Sequence, residues 1–121
     1  MILVDTDILI DVSRRYRPSI EAVEKLRSND PVLVSVVSQM ELTIGCRDTR
    51  EKHAAEELLA EFSLIPISEP ASRLAAALVG DFYLSHGLLI PDALIAATAV
   101  SHGYQLLTRN RKHFEFVPGL Q

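Results

Sequence analysis

The chain has 121 residues, the scale of one domain spanning 1–121. Hydrophobic residues make up 48% of it, too many for a disordered chain and enough for a packed core. The formal net charge of −4 argues against a general nucleic-acid coat, which is basic overall. The longest apolar run falls well short of the roughly 20 residues of a membrane span. Asp5 and Asp7 break the first apolar run before it can serve as a signal peptide. The single cysteine, Cys46, cannot form an internal disulfide, and the expectation is a soluble, cytoplasmic protein.

Ile2 to Val4 reads as a short buried strand, followed by a helical turn or two over Asp7 to Val12. Pro18-Ser19 starts a helix through Leu26, with Ile20, Val23 and Leu26 at helical spacing. Asn29-Asp30-Pro31 is a turn, and Val32 to Ser35 is a β-branched strand whose serine, or Ser38, can cap the next helix. On that helix Val36, Val37, Met40 and Ile44 fall in one stripe about 100° wide, which predicts the buried face. Glu41 then lies at the edge of the stripe. Leu42 projects roughly 200° away from its centre, and so is expected to be exposed or to meet a partner. Glu51 to Phe62 is a second amphipathic helix, in which Leu58, Leu59 and Phe62 are candidates for covering an adjoining surface. Leu64 to Ile67 is a strand. Ser68-Glu69-Pro70 opens a long helix to about His86, which Gly87 ends. Leu88 to Asp92 leads into an alanine-rich helix from Ala93 to about His102, stopped by Gly103. Tyr104 to Thr108 is a strand, and Phe114 to Leu120 is expected as an extended tail held by Pro118-Gly119.

Strands alternating with helices predict a three-layer α/β/α sandwich around a mostly parallel sheet. In such sheets the working site lies off the carboxyl ends of the strands. Asp5 and Asn110 each follow a strand, Asp92 opens a helix where the dipole favours negative charge, and Glu41 sits on a helix just beyond a strand. Taken singly, each has an ordinary reading: Asp5 as an N-cap, Asp92 as helix-start chemistry, Glu41 as a solvated face residue, Asn110 as a turn residue. Collected at one edge, such carboxylates repel each other unless a hard cation sits among them, and hard cations serve phosphoryl chemistry. The four histidines are scattered and suggest no zinc set. The basic residues fall in three bunches, Arg14, Arg15 and Arg17, then Arg47, Arg50 and Lys52, then Arg109, Arg111 and Lys112. They read either as solvated surface or as a rim that guides phosphates. Asp5-Thr6-Asp7 also suits an aspartyl-phosphate phosphatase, but no late acidic pair follows Lys112. A phosphorelay receiver would need an aspartate ending a mid-chain strand, and Leu64 to Ile67 has none.

In order and spacing, Val4-Asp5-Thr6, Ser38-Gln39-Met40-Glu41-Leu42, Pro91-Asp92-Ala93 and Thr108-Arg109-Asn110-Arg111-Lys112-His113-Phe114 resemble the PIN-domain ribonucleases, and within them the VapC-type toxins of toxin–antitoxin pairs. The resemblance implies a metal-dependent endoribonuclease using Mg²⁺ or Mn²⁺. It implies Asp5, Glu41, Asp92 and Asn110 as the catalytic set, with Asp5, Asp92 and Glu41 on the metal. The fourth position, often aspartate in the family, is Asn110 here, which brings no negative charge. Thr6, Thr108, Arg14, Arg15 and Lys112 are expected as supporting or RNA contacts. The resemblance further implies a homodimer and a small antitoxin lying across the active-site groove. The alternative is a catalytically silent PIN-like module that binds or assembles without turnover, whose mark would be loss of Asp5, Glu41 or Asp92. None is lost.

Overall fold

The computed structural model describes residues 1–121 throughout. Four short strands, β1 (Ile2–Val4), β2 (Val32–Ser35), β3 (Ser63–Ile65) and β4 (Gln105–Leu107), form one sheet in the order β3-β2-β1-β4, and every pairing is parallel. Six α-helices connect them: α1 (Thr6–Ser13), α2 (Arg17–Arg27), α3 (Val36–Ile44), α4 (Thr49–Leu59), α5 (Glu69–His86) and α6 (Ile90–His102).

The chain steps outward from β1 to β2 to β3, then returns across the sheet to place β4 on the other side of β1. Parallel crossovers keep one hand, so a reversal of direction moves the connecting helices to the opposite face. The result is two cores. Val4, Val32 and Val34 pack with Ile8, Leu9, Val23, Leu42, Ala55 and Leu59 from the first four helices. Leu3 and Leu33 point the other way and pack with Ala71, Ala75, Leu78, Ile95 and the alanines of α6. The register Leu3↔Leu33 and Val4↔Val34 makes this alternation work, because neighbouring side chains on a strand face opposite sides. The sandwich expected from the sequence is therefore present. The strand order reverses at β1, so the crevice beyond its carboxyl end, where Asp5 sits, is the switch point of the sheet.

Local signals account for most boundaries. Ser35 caps α3 through Val37 N–H at 3.1 Å, Ser68 caps α5 through Ala71 N–H at 3.2 Å, and Gly87 and Gly103 end α5 and α6 in the left-handed conformation.

Three expectations need correction. The buried face of α3 is not the Val36, Val37, Met40, Ile44 stripe: Met40 is 49% exposed and Ile44 83%, while Val37, Ser38 and Leu42 are buried. At about 100° per residue, Val37, Ser38, Glu41 and Leu42 span about 140°, so Glu41 falls within the inward face and not at its edge. A serine can occupy that face because Thr6 of α1 satisfies its hydroxyl at 2.8 Å. Leu42 and Leu59 are core residues, at 7% and 8% exposure, and Phe62 packs half-buried beside them. Finally, the tail is not extended. A 3₁₀ turn (Arg111–His113) runs into further turns, with Val117 N–H donating to Phe114 C=O at 2.9 Å. Phe114 and Val117 are both buried against α5 and α6, and two residues three apart reach one surface through a turn, not a strand.

Candidate functional site

Four carboxyl groups converge beyond the carboxyl end of β1. Asp5 follows the strand directly and is the N-cap of α1, its Oδ1 accepting from Thr6 N–H at 2.8 Å. The ordinary reading of Asp5 and the functional one thus hold together. Its Oδ2 accepts from Thr108 Oγ1 at 2.9 Å, from the segment that leaves β4. Asp7 lies in the first turn of α1 and faces the same segment. Its Oδ2 accepts from Arg109 N–H and from Asn110 Nδ2, both at 3.0 Å. Its Oδ1 is buried and has no hydrogen-bond partner.

Glu41 reaches in from α3. Thr6 Oγ1 stands 2.7 Å from Glu41 Oε1 and 2.8 Å from Ser38 Oγ. A hydroxyl has one proton, and the carboxylate can only accept, so Thr6 donates to Glu41 and Ser38 donates to Thr6. Asp92 sits in the first turn of α6, whose N-terminus favours an anion. His113 Nδ1 is 3.6 Å from Asp92 Oδ2.

Mutual electrostatics show that these groups share one neighbourhood. Burial pushes the Asp5 carboxyl from the ordinary aspartate value of 3.8 up to about 7. The charges of Asp7 and, more weakly, Asp92 add to this, while hydrogen bonds from Thr108 and the Thr6 N–H pull the other way. Asp92 is also raised, first by burial. His113 opposes that shift, and the charges of Glu41 and Asp7 reinforce it.

Of the residues singled out in the sequence, the fold therefore brings Asp5, Glu41, Asp92, Asn110, Thr6 and Thr108 to one crevice. Lys112 is exposed on the 3₁₀ turn beside it. Arg14 and Arg15 lie at the far end of α1, about 12 Å along its axis from the first turn. Much of the basic charge is already paired: Arg17 with Glu21, Arg47 with Glu51, Lys52 with Glu56 and Arg109 with Asp11.

Sequence reasoning missed Asp7 and Ser38. The signal for Asp7 was its position two residues after Asp5, inside the first helical turn, where a carboxylate projects back toward the strand end. Ser38 carried no signal of its own, because its burial depends on Thr6, 32 residues away.

The donor set is all oxygen apart from His113, and one buried carboxylate oxygen lacks a partner. This fits a hard divalent ion that keeps part of its water shell. The side chains as they stand do not close three acidic or histidine ligands around one point. The arrangement is an anionic pocket and not a finished cage.

The PIN domain family matches residues 2–119 of the chain. Ribonuclease VapC10 of Mycobacterium tuberculosis is 38% identical over 115 residues, covering 94% of this chain and 86% of that protein. Ribonuclease VapC19 of the same organism is 31% identical over 123 residues, covering 100% and 98%. Among solved structures, a chain of a toxin–antitoxin complex from Klebsiella pneumoniae is 32% identical and superposes with a TM-score of 0.81, covering 100% of this chain and 96% of that one. An α/β sandwich with its acids gathered at the switch point, matched over nearly its whole length, places this chain in the PIN-domain family.

Proposed function

We propose that this protein is an endoribonuclease toxin of a toxin–antitoxin pair and that its activity depends on Mg²⁺ or Mn²⁺. The observation that carries the reading is the pocket in which Asp5, Asp7, Glu41 and Asp92 gather beyond β1, with burial and mutual charge raising the Asp5 and Asp92 carboxyls. Relatives named as VapC ribonucleases, and a similar chain solved within a toxin–antitoxin complex, support the substrate class and the antitoxin partner.

Asp5 and Asp92 would hold the ion most directly, with Glu41 and Asp7 lining the remaining sides. When bound, a divalent ion supplies an acidified water and neutralises charge on the scissile phosphate. The chain's own residues do the rest. Thr108 orients the Asp5 carboxyl, Thr6 orients Glu41, and Asn110 holds Asp7. Lys112, Arg14 and Arg15, all exposed, draw the RNA backbone toward an otherwise acidic crevice. With no tryptophan and few aromatics, recognition runs through backbone charge and RNA shape. Homodimer formation is part of the same proposal. Four large apolar side chains exposed near the turn from α5 to α6, Tyr83, Leu84, Leu89 and Ile90, support it, with Leu84 at 94% exposure.

The test is RNA cleavage by the antitoxin-free protein with Mg²⁺ or Mn²⁺, compared with EDTA and with Asp5→Asn. Cleavage abolished by both controls is expected. Cleavage that survives both sinks the metal mechanism, and no cleavage of any RNA pool leaves a binding module in its place. Light scattering at micromolar concentration checks the dimer, and a monomer alone overturns it.

A further inference from the structure

Arg109 stands between the two residues that touch the pocket from the β4 side, Thr108 and Asn110, yet its side chain points away from the acids. Its Nε meets Asp11 Oδ2 at 2.7 Å, and its guanidinium carbon lies 5.7 Å from the centre of the Tyr16 ring. Asp11 is an unfavourable residue for its place. It is buried at 7% exposure, it lies in the last turn of α1 where the dipole opposes an anion, and it stands four residues from Asp7, one helical turn away on the same face. Its carboxylate is matched by Arg109 and by Ser19 Oγ, which donates to the same oxygen at 2.9 Å.

The same loop residue also reaches the other carboxylate of this face, because the Arg109 N–H donates to Asp7 Oδ2 at 3.0 Å. The loop is thus fastened to α1 at two points one turn apart, by main chain at Asp7 and by side chain at Asp11. That double attachment sets where Thr108 Oγ1 meets Asp5 and where Asn110 Nδ2 meets Asp7. Asn110 N–H, donating to Thr108 Oγ1 at 3.0 Å, closes the loop on itself. Moving the loop would leave a buried carboxylate without its cation, which is far costlier than breaking a solvated surface pair.

We propose that Arg109 is a positioning residue: its ion pair with buried Asp11 clamps the Thr108–Asn110 loop onto α1 and holds Thr108 and Asn110 against Asp5 and Asp7. The rate arm of the test rests on the ribonuclease reading; the exchange arm does not. Arg109→Gln, Asp11→Asn and the double variant are compared for RNA cleavage with Mg²⁺ and for hydrogen exchange at the Arg109 and Asn110 amides.

Each single variant is expected to lower kcat by about 10- to 100-fold with KM within about twofold, since small misplacement of reacting groups has effects of this size. The double variant is expected to fall no further than the worse single one. Exchange at both amides should quicken about tenfold or more as the loop opens, and Arg109→Lys should recover part of kcat. Asp11 is buried and acidic and cannot bind RNA. If Asp11→Asn keeps the parent kcat while Arg109→Gln raises KM, Arg109 is an RNA contact and the clamp is wrong. Unchanged exchange in both variants overturns it equally, whether or not the protein cleaves RNA. Should Asp11→Asn not fold, Arg109→Gln and Arg109→Lys decide the matter alone, because that side chain is 55% exposed.

Discussion

The two edges of the sheet use acidic residues in opposite ways. At the amino edge, where β2 and β3 begin, Glu61 meets Arg27 at 3.2 Å, and the Arg27 guanidinium lies over Phe62 at 5.5 Å from the ring centre. Asp30 and Asn29 share the shallow polar depression there. Arg27 and Glu61 pair with each other, and Asp30 is exposed. At the carboxyl edge four carboxyl groups face one another, Arg109 is committed to Asp11, and the basic side chain nearest Asp92 is the His113 imidazole, 3.6 Å away. Acids at the first edge hold the fold at little cost. Acids at the second are held against their own repulsion, a cost beyond what the N-cap role of Asp5 requires.

The comparison breaks most visibly in the rate of RNA cleavage. Asp5→Asn or Asp92→Asn is expected to lower it by roughly 100- to 1,000-fold, the size of several kcal/mol of lost charge stabilisation. Glu61→Gln should leave it unchanged within about twofold. Initial rates on one RNA with Mg²⁺, alongside circular dichroism of each variant, measure the contrast; an equal loss from both edges would erase it. Thermal unfolding gives the second contrast. At a divalent-ion concentration about 100 times its dissociation constant, the parent should gain about 2.7 kcal/mol, and Asp5→Asn should lose most of that gain. Glu61→Gln should keep it.

These same regions show how far the sequence could be read. Asp5 and Asp92 were legible because each sits at a boundary that local rules locate, a strand end and a helix opening after Pro91; Glu41 lies in the second turn of α3 and stood out only within the motif Ser38-Gln39-Met40-Glu41-Leu42. The parallel sandwich was legible from alternation of strands and helices. The inward face of α3 was not. Counting apolar residues favours Met40 and Ile44, yet Ser38 is buried instead, because the Thr6 hydroxyl completes it and lets α1 come close. Leu42 follows Ser38 inward for the same geometric reason. The tail failed similarly: Phe114 and Val117 could alternate on a strand or share a turn, and only the surface of α5 and α6 decides. What was lost is the information that lives in contacts between distant segments. Asp7 belongs there too, since its partners are more than 100 residues away.

A smaller effect separates the edges by pH. The Asp5 carboxyl is raised in the fold from 3.8 to about 7, so the native state binds this proton more tightly than the unfolded chain does. Its contribution to stability therefore falls as pH climbs from about 4 to about 7, and the full repulsion is present above that. Asp5→Asn keeps an oxygen for the Thr6 N–H and removes the charge. In EDTA it is expected to be more stable than the parent by roughly 1–3 kcal/mol at about pH 8, with the difference closing toward pH 4. Urea unfolding at the two pH values measures it. A variant less stable than the parent at the higher pH would mean that the carboxylate is held by its hydrogen bonds more firmly than its neighbours repel it.

The smallest expected effect is at the amino edge. The Arg27 and Glu61 side chains are 38% and 52% exposed, so water already screens much of their attraction. Glu61→Gln is expected to cost about 0.2–1 kcal/mol, and less at high salt. Arg27→Ala should cost more than Glu61→Gln and respond less to salt, because it also removes the stem and guanidinium packed over Phe62, a contact that does not depend on Glu61. Urea unfolding at low and high salt distinguishes the two contributions. If both variants lose the same stability and salt abolishes both losses, the edge is held by charge alone and Phe62 is a bystander. If the arginine variant keeps its loss at high salt, packing carries this edge, and the acid adds little to it.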